Sequence, residues 1–508
     1  MWNEGYTSEI NYTSGYYSEL SLARIRLALL CCGIDHGIDE NPNYLELGFG
    51  QGLSLNINTA TSSGNFYGTD FNPGQVANAR ELARAMGKPL TLLEDSFEEL
   101  VLRNDLPQFD VIALHGIWSW ISDNARAAIV ELARKSLKPG GAFYISYNVT
   151  PGWSPAWPLR TLLSEYAKRE CSGTILDKVD QSVNFVDRVI EGNAAYFGQN
   201  PQLKTRLDMI KKMDKTYIAH EYFNANWDPM PFSAVADHLA QAKLTYAANA
   251  SILENLSGIS LPAGAQEILQ TIRDPIMRET TRDYFVNTQF RRDIFVKGAR
   301  AMSLYDHGRR VEKERFVLLG DPNNCPTKVQ TVIGEAELRE DIYAPLCKVL
   351  ATFPDCTASI AELLATKELS ALNRAQVWEV LLILTGAGFV APISTSTTPD
   401  ADAAAAKALN GALLERAELG TGVDYLAAPR LGSAIQIGRI DQLFVKAQAE
   451  KQKDPVEWVM QLLASQQQLL IVNGETISDA EQTRTELKRM FAEFKEQRDP
   501  VLRRVGAY

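Results

Sequence analysis

Tyr44-Leu45-Glu46-Leu47-Gly48-Phe49-Gly50-Gln51-Gly52 is an apolar run that breaks into three alternate glycines. Tyr44, Leu45 and Leu47 read as a buried parallel strand. Gly48, Gly50 and Gly52 let the backbone turn sharply and approach a ligand without Cβ obstruction. A pyridine-dinucleotide fingerprint, G-x-G-x-x-G, would need its third glycine at position 53. Leu53 stands there, and the third glycine arrives one residue early. The stretch is a ligand-binding strand-to-helix turn whose spacing departs from that of a dehydrogenase.

Reading outward, Phe66–Thr69 is a second strand ending at Asp70, and Asn72-Pro73 follows as an N-cap with proline at the first helical position. Val76, Ala79, Leu82, Ala83 and Met86 fall on one face of that helix. Pro89–Leu93 gives a third strand, with Asp95-Ser96-Phe97 in the loop after it, and Phe109–Leu114 is a continuous apolar fourth. It runs into His115-Gly116-Ile117-Trp118-Ser119-Trp120. Ser122 caps a helix through Leu137, and Ala142–Tyr147 is a fifth strand whose end reads Ser146-Tyr147-Asn148-Val149-Thr150-Pro151-Gly152-Trp153. Strands alternating with helices predict a doubly wound sheet, and ligands of such sheets sit beyond the carboxyl ends of the strands. His115 and the tryptophans therefore point toward a reacting centre, with at least one of Trp118 and Trp120 expected to be plain core. Tyr6, Tyr12, Tyr16 and Tyr17 crowd the first twenty residues, either as an arm packing its aromatics or as a cover over the cleft.

The 508 residues suffice for two to four domains, and 45% hydrophobic with 22% charged residues is ordinary globular composition. A net charge of -11 disfavours a general affinity for nucleic acid or anionic membrane. The six cysteines, at 31, 32, 171, 325, 347 and 356, form no C-x-x-C pair, and the histidines at 36, 115, 220, 238 and 307 have no ligand spacing, so no metal is expected. Val380–Ile393, the most apolar run, is too short to span a bilayer, and the polar N-terminus does not read as a secretory signal. Reduced thiols and a cytoplasmic location are the expectation.

The pattern E-x-G-x-G-x-G resembles motif I of class I S-adenosylmethionine-dependent methyltransferases. With G-T-D-F-N-P, D-V-I-A-L-H-G-I-W-S-W and Y-I-S-Y-N-V-T-P-G-W, it resembles those bacterial members that carry a methyltransferase regulatory domain after the catalytic fold. That family includes protein-lysine methyltransferases acting on rickettsial outer-membrane proteins. The resemblance implies S-adenosylmethionine as cofactor, with Glu46 and the turn at Gly48, Gly50 and Gly52 on its methionine and ribose part. Asp70, with Phe71 beside it, would accept from both ribose hydroxyls. Asp95 would accept from the adenine amino group while the N–H of Ser96 serves the ring; the alternative for both is capping of the next helix.

Methyl transfer from a sulfonium is an in-line displacement that needs chiefly an aligned, desolvated nucleophile. His115 is the best general-base candidate, since an unperturbed imidazole titrates near neutrality; the alternative is a cofactor contact or a packed, hydrogen-bonded histidine. Tyr147, the second expected catalytic residue, would form with Trp118 and Trp120 an aromatic wall that lowers the pKa of an acceptor amine. Asn148 would orient the acceptor, and Tyr16 and Tyr17 would cover it. A protein lysine is the expected acceptor and a homodimer an open alternative to a monomer. A glycan or small-molecule hydroxyl, or a non-catalytic scaffold on the same fold, are the competing readings.

The fold expected is α/β: a Rossmann-like sheet over 1–160, a helical regulatory region over 161–325 that adds late strands such as Leu244–Ala247, a winged-helix-like module over 335–395 and a C-terminal domain over 407–508. Pro275–Met302 reads as helix, with Arg278, Arg282, Arg291, Arg292 and Arg300 interleaved with acids on a salt-bridged face. Ser394–Ala406 reads as a linker and Leu426–Ile440 as irregular. The winged module's presumed recognition segment, Leu372–Leu384, has too few cations to bind DNA.

Overall fold

The structure, a computed structural model, describes residues 15–224, 226–472 and 474–508; Tyr6 and Tyr12 lie outside them. Helix α1 (Leu22–Cys31) leads into a seven-stranded sheet made of β1 (Asn43–Leu47), β2 (Asn65–Thr69), β3 (Thr91–Leu93), β4 (Phe109–Leu114), β5 (Leu137–Asn148), β6 (Leu244–Asn249) and β7 (Phe290–Lys297). Its order is 3-2-1-4-5-7-6. The first five strands are parallel, Leu45 facing both Tyr67 and Ile112, while β7 runs antiparallel to β5 and β6.

The two faces of the sheet follow from side-chain alternation. Tyr44, Val111, Ala113, Ala142 and Tyr144 pack with α1 on one side. Leu45, Leu47, Ile112, Leu114, Phe143 and Ile145 pack on the other against α4 (Asp123–Ser136) and α9 (Phe232–Ala240). Between the strands, α2 (Leu53–Thr61) and α3 (Pro73–Met86) complete the first two crossovers. Every residue of α2 is buried, polar ones included. Its sequence L-S-L-N-I-N-T-A-T lacks a solvated face because a second layer covers it. Helix α14 (Pro399–Glu418) lies across α2 and α3, with Asp402 1% exposed and 2.7 Å from Lys88. The buried donors of α2 are met by backbone carbonyls: Asn56 donates to those of Gly52 and Ala79, and the Thr59 and Thr61 hydroxyls to those of Leu55 and Ile57.

Between β5 and α9, helices α5 (Trp157–Arg169), α6 (Ile175–Glu191), α7 (Gln202–Ile210) and α8 (Lys215–Phe223) form a separate cluster with its own core around Leu163, Val186, Leu207 and Tyr222. Further on, the expectation of unbroken helix over Pro275–Met302 fails. Helix α10 (Pro275–Val286) stops at Asn287, whose φ of 48° is left-handed, and β7 follows. The salt bridging expected of this segment's arginines is present, with Arg278 and Arg300 exposed but Arg282 and Arg291 buried. Arg291, 1% exposed, donates to Asp293, Asp283 and Glu279 at 2.7, 2.8 and 2.9 Å, and lies 4.3 Å from the Phe232 ring. The charges that suggested one helical face pair instead between α10 and β7, where they are buried.

The region expected to be winged contains α11 (Glu340–Thr352), α12 (Ile360–Leu364) and α13 (Arg374–Gly386), with β9 (Thr357–Ser359) and β10 (Val390–Pro392). The strand between these two is β8 (Arg315–Leu318), which comes from before the region. Helix α13, the presumed recognition helix, is buried from Val380 to Thr385 in the core that α1 also joins. The linker expectation at Ser394–Ala406 also fails in part, since its alanine run starts α14, which crosses the boundary drawn at 407. Within Leu426–Ile440, Tyr425–Ala428 and Ser433–Gln436 pair as a hairpin rather than running irregularly. Asn410 of α14 ties that hairpin to the chain end, donating to the carbonyls of Ala427 and Ala507 at 2.8 and 2.7 Å. Among the described residues no helix is long and apolar enough to cross a membrane.

Breaking a buried ion cluster from one side leaves uncompensated charge. Arg291→Met is expected to cost about 3–5 kcal/mol, measured as a fall in the urea midpoint; an unchanged midpoint would mean that the neighbouring carboxyls are neutral in the fold.

Candidate active site

The chain turns from β1 into α2 through three glycines with φ of 64°, 57° and 76°. At Gly52 a Cβ would come 2.4 Å from that of Ala79, so the close approach of α2 and α3 excludes one. At Gly50 a Cβ would meet nothing within 4 Å. What Gly50 contributes is its left-handed backbone, which aims its N–H at Asp70 Oδ2, 2.9 Å away. The other oxygen of Asp70 accepts from the Asn72 N–H at 2.9 Å, and the Gln75 amide, in its hydrogen-bonding orientation, donates to both. Burial raises the acid to about 6 against these two backbone donors.

A cavity of about 530 Å³ opens over this turn at the carboxyl ends of β1 to β5. Glu46, Gly48, Gly50, Gly52, Asp70, Phe71, Asp95 and Ser96, the residues expected to hold a cofactor, all line it. Asp95 Oδ2 also pairs with Arg103 at 2.9 Å. Ser96 takes the capping alternative: its N–H donates to Glu99 and its hydroxyl accepts from the Glu99 N–H, a capping box. Glu46 is buried, raised to about 8 by that burial and by the nearby Asp70, and its Oε2 has no hydrogen-bond partner among the described residues. Five lining carboxylates, Glu46, Asp70, Asp95, Glu98 and Glu221, face one arginine, Arg292. That lining suits a cationic occupant rich in hydroxyl and amino donors.

The acceptor residues expected from sequence separate into two groups. His115, Tyr17, Trp120 and Asn148 line the cavity. Tyr17 stacks on His115 with centroids 3.9 Å apart, and its N–H donates to Ser54. Tyr16, Trp118 and Tyr147 do not line it. Tyr16 points the other way and packs on Tyr425, 5.4 Å between centroids. Trp118 is wholly buried in the core beneath β4, with His238 edge-on at 5.8 Å. Tyr147 fails by strand parity: Tyr144, Ser146 and Asn148 share one face of β5, while Tyr147 faces the other and donates to Asp293 at 2.7 Å.

His115 also differs from the expected base. Its Nδ1 sits 2.8 Å from the Tyr144 hydroxyl, and burial, helped by Arg292 and opposed by Glu19, pushes its pKa down to about 4. It is a neutral ring at physiological pH and a poor proton acceptor.

Sequence reasoning missed other lining residues. Trp153, Tyr217, Glu221, Phe290 and Arg292 all face the cavity. Trp153 stood in the quoted end of the fifth strand and was passed over. Tyr217 and Glu221 sit four apart on α8 and so share a face, but only the packing of α8 on the sheet end reveals which face. Phe290 and Arg292 come from β7, read as helix.

Comparison with known proteins agrees with this architecture. A family model described as a methyltransferase domain matches residues 45–141, and one described as a predicted methyltransferase regulatory domain matches residues 214–297. The uncharacterized protein sll1526 of Synechocystis is 37% identical over 508 residues, 99% of each chain. The uncharacterized protein RP789 of Rickettsia prowazekii is 25% identical over 56% of this chain and 51% of its own. Among solved structures, PKMT2 from Rickettsia typhi in complex with AdoHcy superposes with a TM-score of 0.70 at 18% identity, covering 98% of this chain and 99% of that one, which shows a shared fold.

If Asp70 anchors the occupant as a carboxylate, binding weakens as pH falls through about 6, where that acid takes up its proton. Calorimetry with S-adenosylhomocysteine is expected to show that loss in the wild type. Asp70→Ala is expected to bind about ten- to a hundredfold more weakly, the worth of a hydrogen bond to a charged group, and to lose the dependence near pH 6.

Proposed function

The chain belongs to the class I S-adenosylmethionine-dependent methyltransferases that carry a methyltransferase regulatory domain, and from that premise we propose that its acceptor is a side-chain amine of a protein, lysine in particular. The cofactor supplies an electrophilic methyl group on a sulfonium. Everything else required is positioning and desolvation, which fixed walls provide.

The observation that carries the reading is the aromatic wall on the β4 and β5 side of the cavity. Trp120, Trp153 and Tyr217 line it, backed by Trp227, whose ring lies 5.4 Å from that of Trp153 and 6.4 Å from that of Trp120. Aromatic faces exclude water, which favours a neutral amine, yet tolerate the cation before and after transfer. A hydroxyl acceptor would instead call for a strong base, and His115, near pKa 4, is a weak one. Asn148, whose Nδ2 is buried without a partner, is placed to orient the acceptor. The likeness to families that include lysine methyltransferases points the same way.

In this reading the turn at Gly48 to Gly52, with Glu46, Asp70, Phe71 and Asp95, holds the cofactor. Tyr17 and His115 form the divide between cofactor and acceptor. The region over 161–325 closes the acceptor side through α8 and β7. Arg292, 3.3 Å from Glu19, is the one arginine among the described lining residues, where a cofactor carboxylate would find its counter-ion.

The test is chemical. Wild-type protein incubated with methyl-labelled S-adenosylmethionine and a cell lysate is expected to place label in protein, recovered after hydrolysis as N-methylated lysine. Label confined to low-mass or O-methylated material would refute the amine reading.

A further inference from the structure

The acceptor wall contains a carboxylate that positioning and desolvation alone leave without a use. Glu221 stands one turn from Tyr217 on α8, on the same face, and both reach the cavity. Two arginines act on it through space, Arg206 from α7 and Arg160 from α5, and each is held elsewhere. Arg206 donates to the Tyr222 hydroxyl at 3.1 Å and lies 4.4 Å from the Trp153 ring centroid. Arg160 donates to the Asn224 carbonyl and lies 4.8 Å from the Trp227 ring centroid. Among the described residues, Glu221 takes part in no ion pair. A half-buried carboxylate that keeps no counter-ion while two guanidiniums rest on tryptophan faces leaves room for a cation from outside.

We propose that Glu221 is the acceptor-binding carboxylate: it receives the ammonium of the incoming side chain between Trp153 and Tyr217, removes one proton from it, and thereby selects amines over hydroxyls. This rests on the amine reading above. In the step, an N–H bond of the ammonium breaks and an O–H bond forms on Glu221. The electron pair stays on nitrogen, which becomes the nucleophile. The carboxyl then returns its proton to solvent before the next turnover. Burial holds Glu221 up at about 7, so it gains and sheds a proton near neutrality. Besides the two arginines, the titratable groups facing it are Tyr217, His220 and Tyr222 on its own helix and Tyr17 from the N-terminal segment.

The experiment uses the full chain saturated with S-adenosylhomocysteine and titrated by calorimetry with n-hexylamine or n-hexanol. In the wild type, hexylamine affinity is expected to rise as pH passes through about 7, where Glu221 ionises while the probe stays cationic; a flat profile would overturn the proposal without recourse to any variant. Glu221→Gln is expected to bind S-adenosylhomocysteine and hexanol as the wild type does, and hexylamine about ten- to a hundredfold more weakly. In the lysate assay its lysine methylation should fall by about 10²–10⁴, the usual contribution of a positioned base, and lose the rise near pH 7. Lysine methylation by Glu221→Gln at the wild-type rate and pH profile would overturn the role of Glu221 and leave the amine reading intact. A wild type that labels no lysine would overturn the amine reading itself.

Discussion

One hydrogen bond, from the Gly50 N–H to Asp70 Oδ2 at 2.9 Å, joins the tips of β1 and β2. Gly50 sits at φ 57° to make it, and two residues on, Gly52, where a Cβ would meet Ala79, lets α2 pack against α3. The same bond keeps a buried carboxylate in place at the mouth of a cavity already lined with acid. Each element draws on the others. Without left-handed glycines the N–H would point elsewhere, and Asp70 would lose one of its two backbone donors, at about 1.5–3 kcal/mol. The strand order and the covering of α2 by α14 serve to hold this junction still.

The first 150 residues were legible because their periodicities are local. Continuous apolar strands, an N-cap with proline at Asn72-Pro73, and glycines at the turn each carry their own conformational meaning. What lay beyond reach was whichever side chain owes its place to a distant element. Tyr147 and Asn148 are neighbours in sequence, and only the pairing of β5 with β7 decides that Asn148 opposes Phe290 at the cavity while Tyr147 opposes Arg291 away from it. Trp118 and Trp120 separate for a similar reason, as the short turn after β4 rotates one under the sheet and leaves the other at its edge.

The misreading of β7 has a different origin. A charged segment is normally a solvated one, and Arg291 with Asp283, Glu279 and Asp293 breaks that rule by satisfying its charges internally. Burial lifts Asp293 to about 6 even with Arg291 beside it, so the cluster is held together by paired geometry at considerable desolvation cost. The strand it occupies is the one that carries Phe290 and Arg292 to the cavity. The region matched as regulatory therefore supplies part of the sheet and part of the wall, and a division of the chain into catalytic and regulatory portions does not follow the residues that surround the site.

Tyr16 and Tyr17 point in opposite directions from adjacent positions, the first clasped by Tyr425 in the C-terminal portion and the second flat against His115. A single peptide unit thus joins the hairpin at Tyr425 to the imidazole that lines the cavity. The C-terminal portion is in this way fastened, through one backbone link, to a wall of a cavity to which, among the described residues, it contributes no lining side chain.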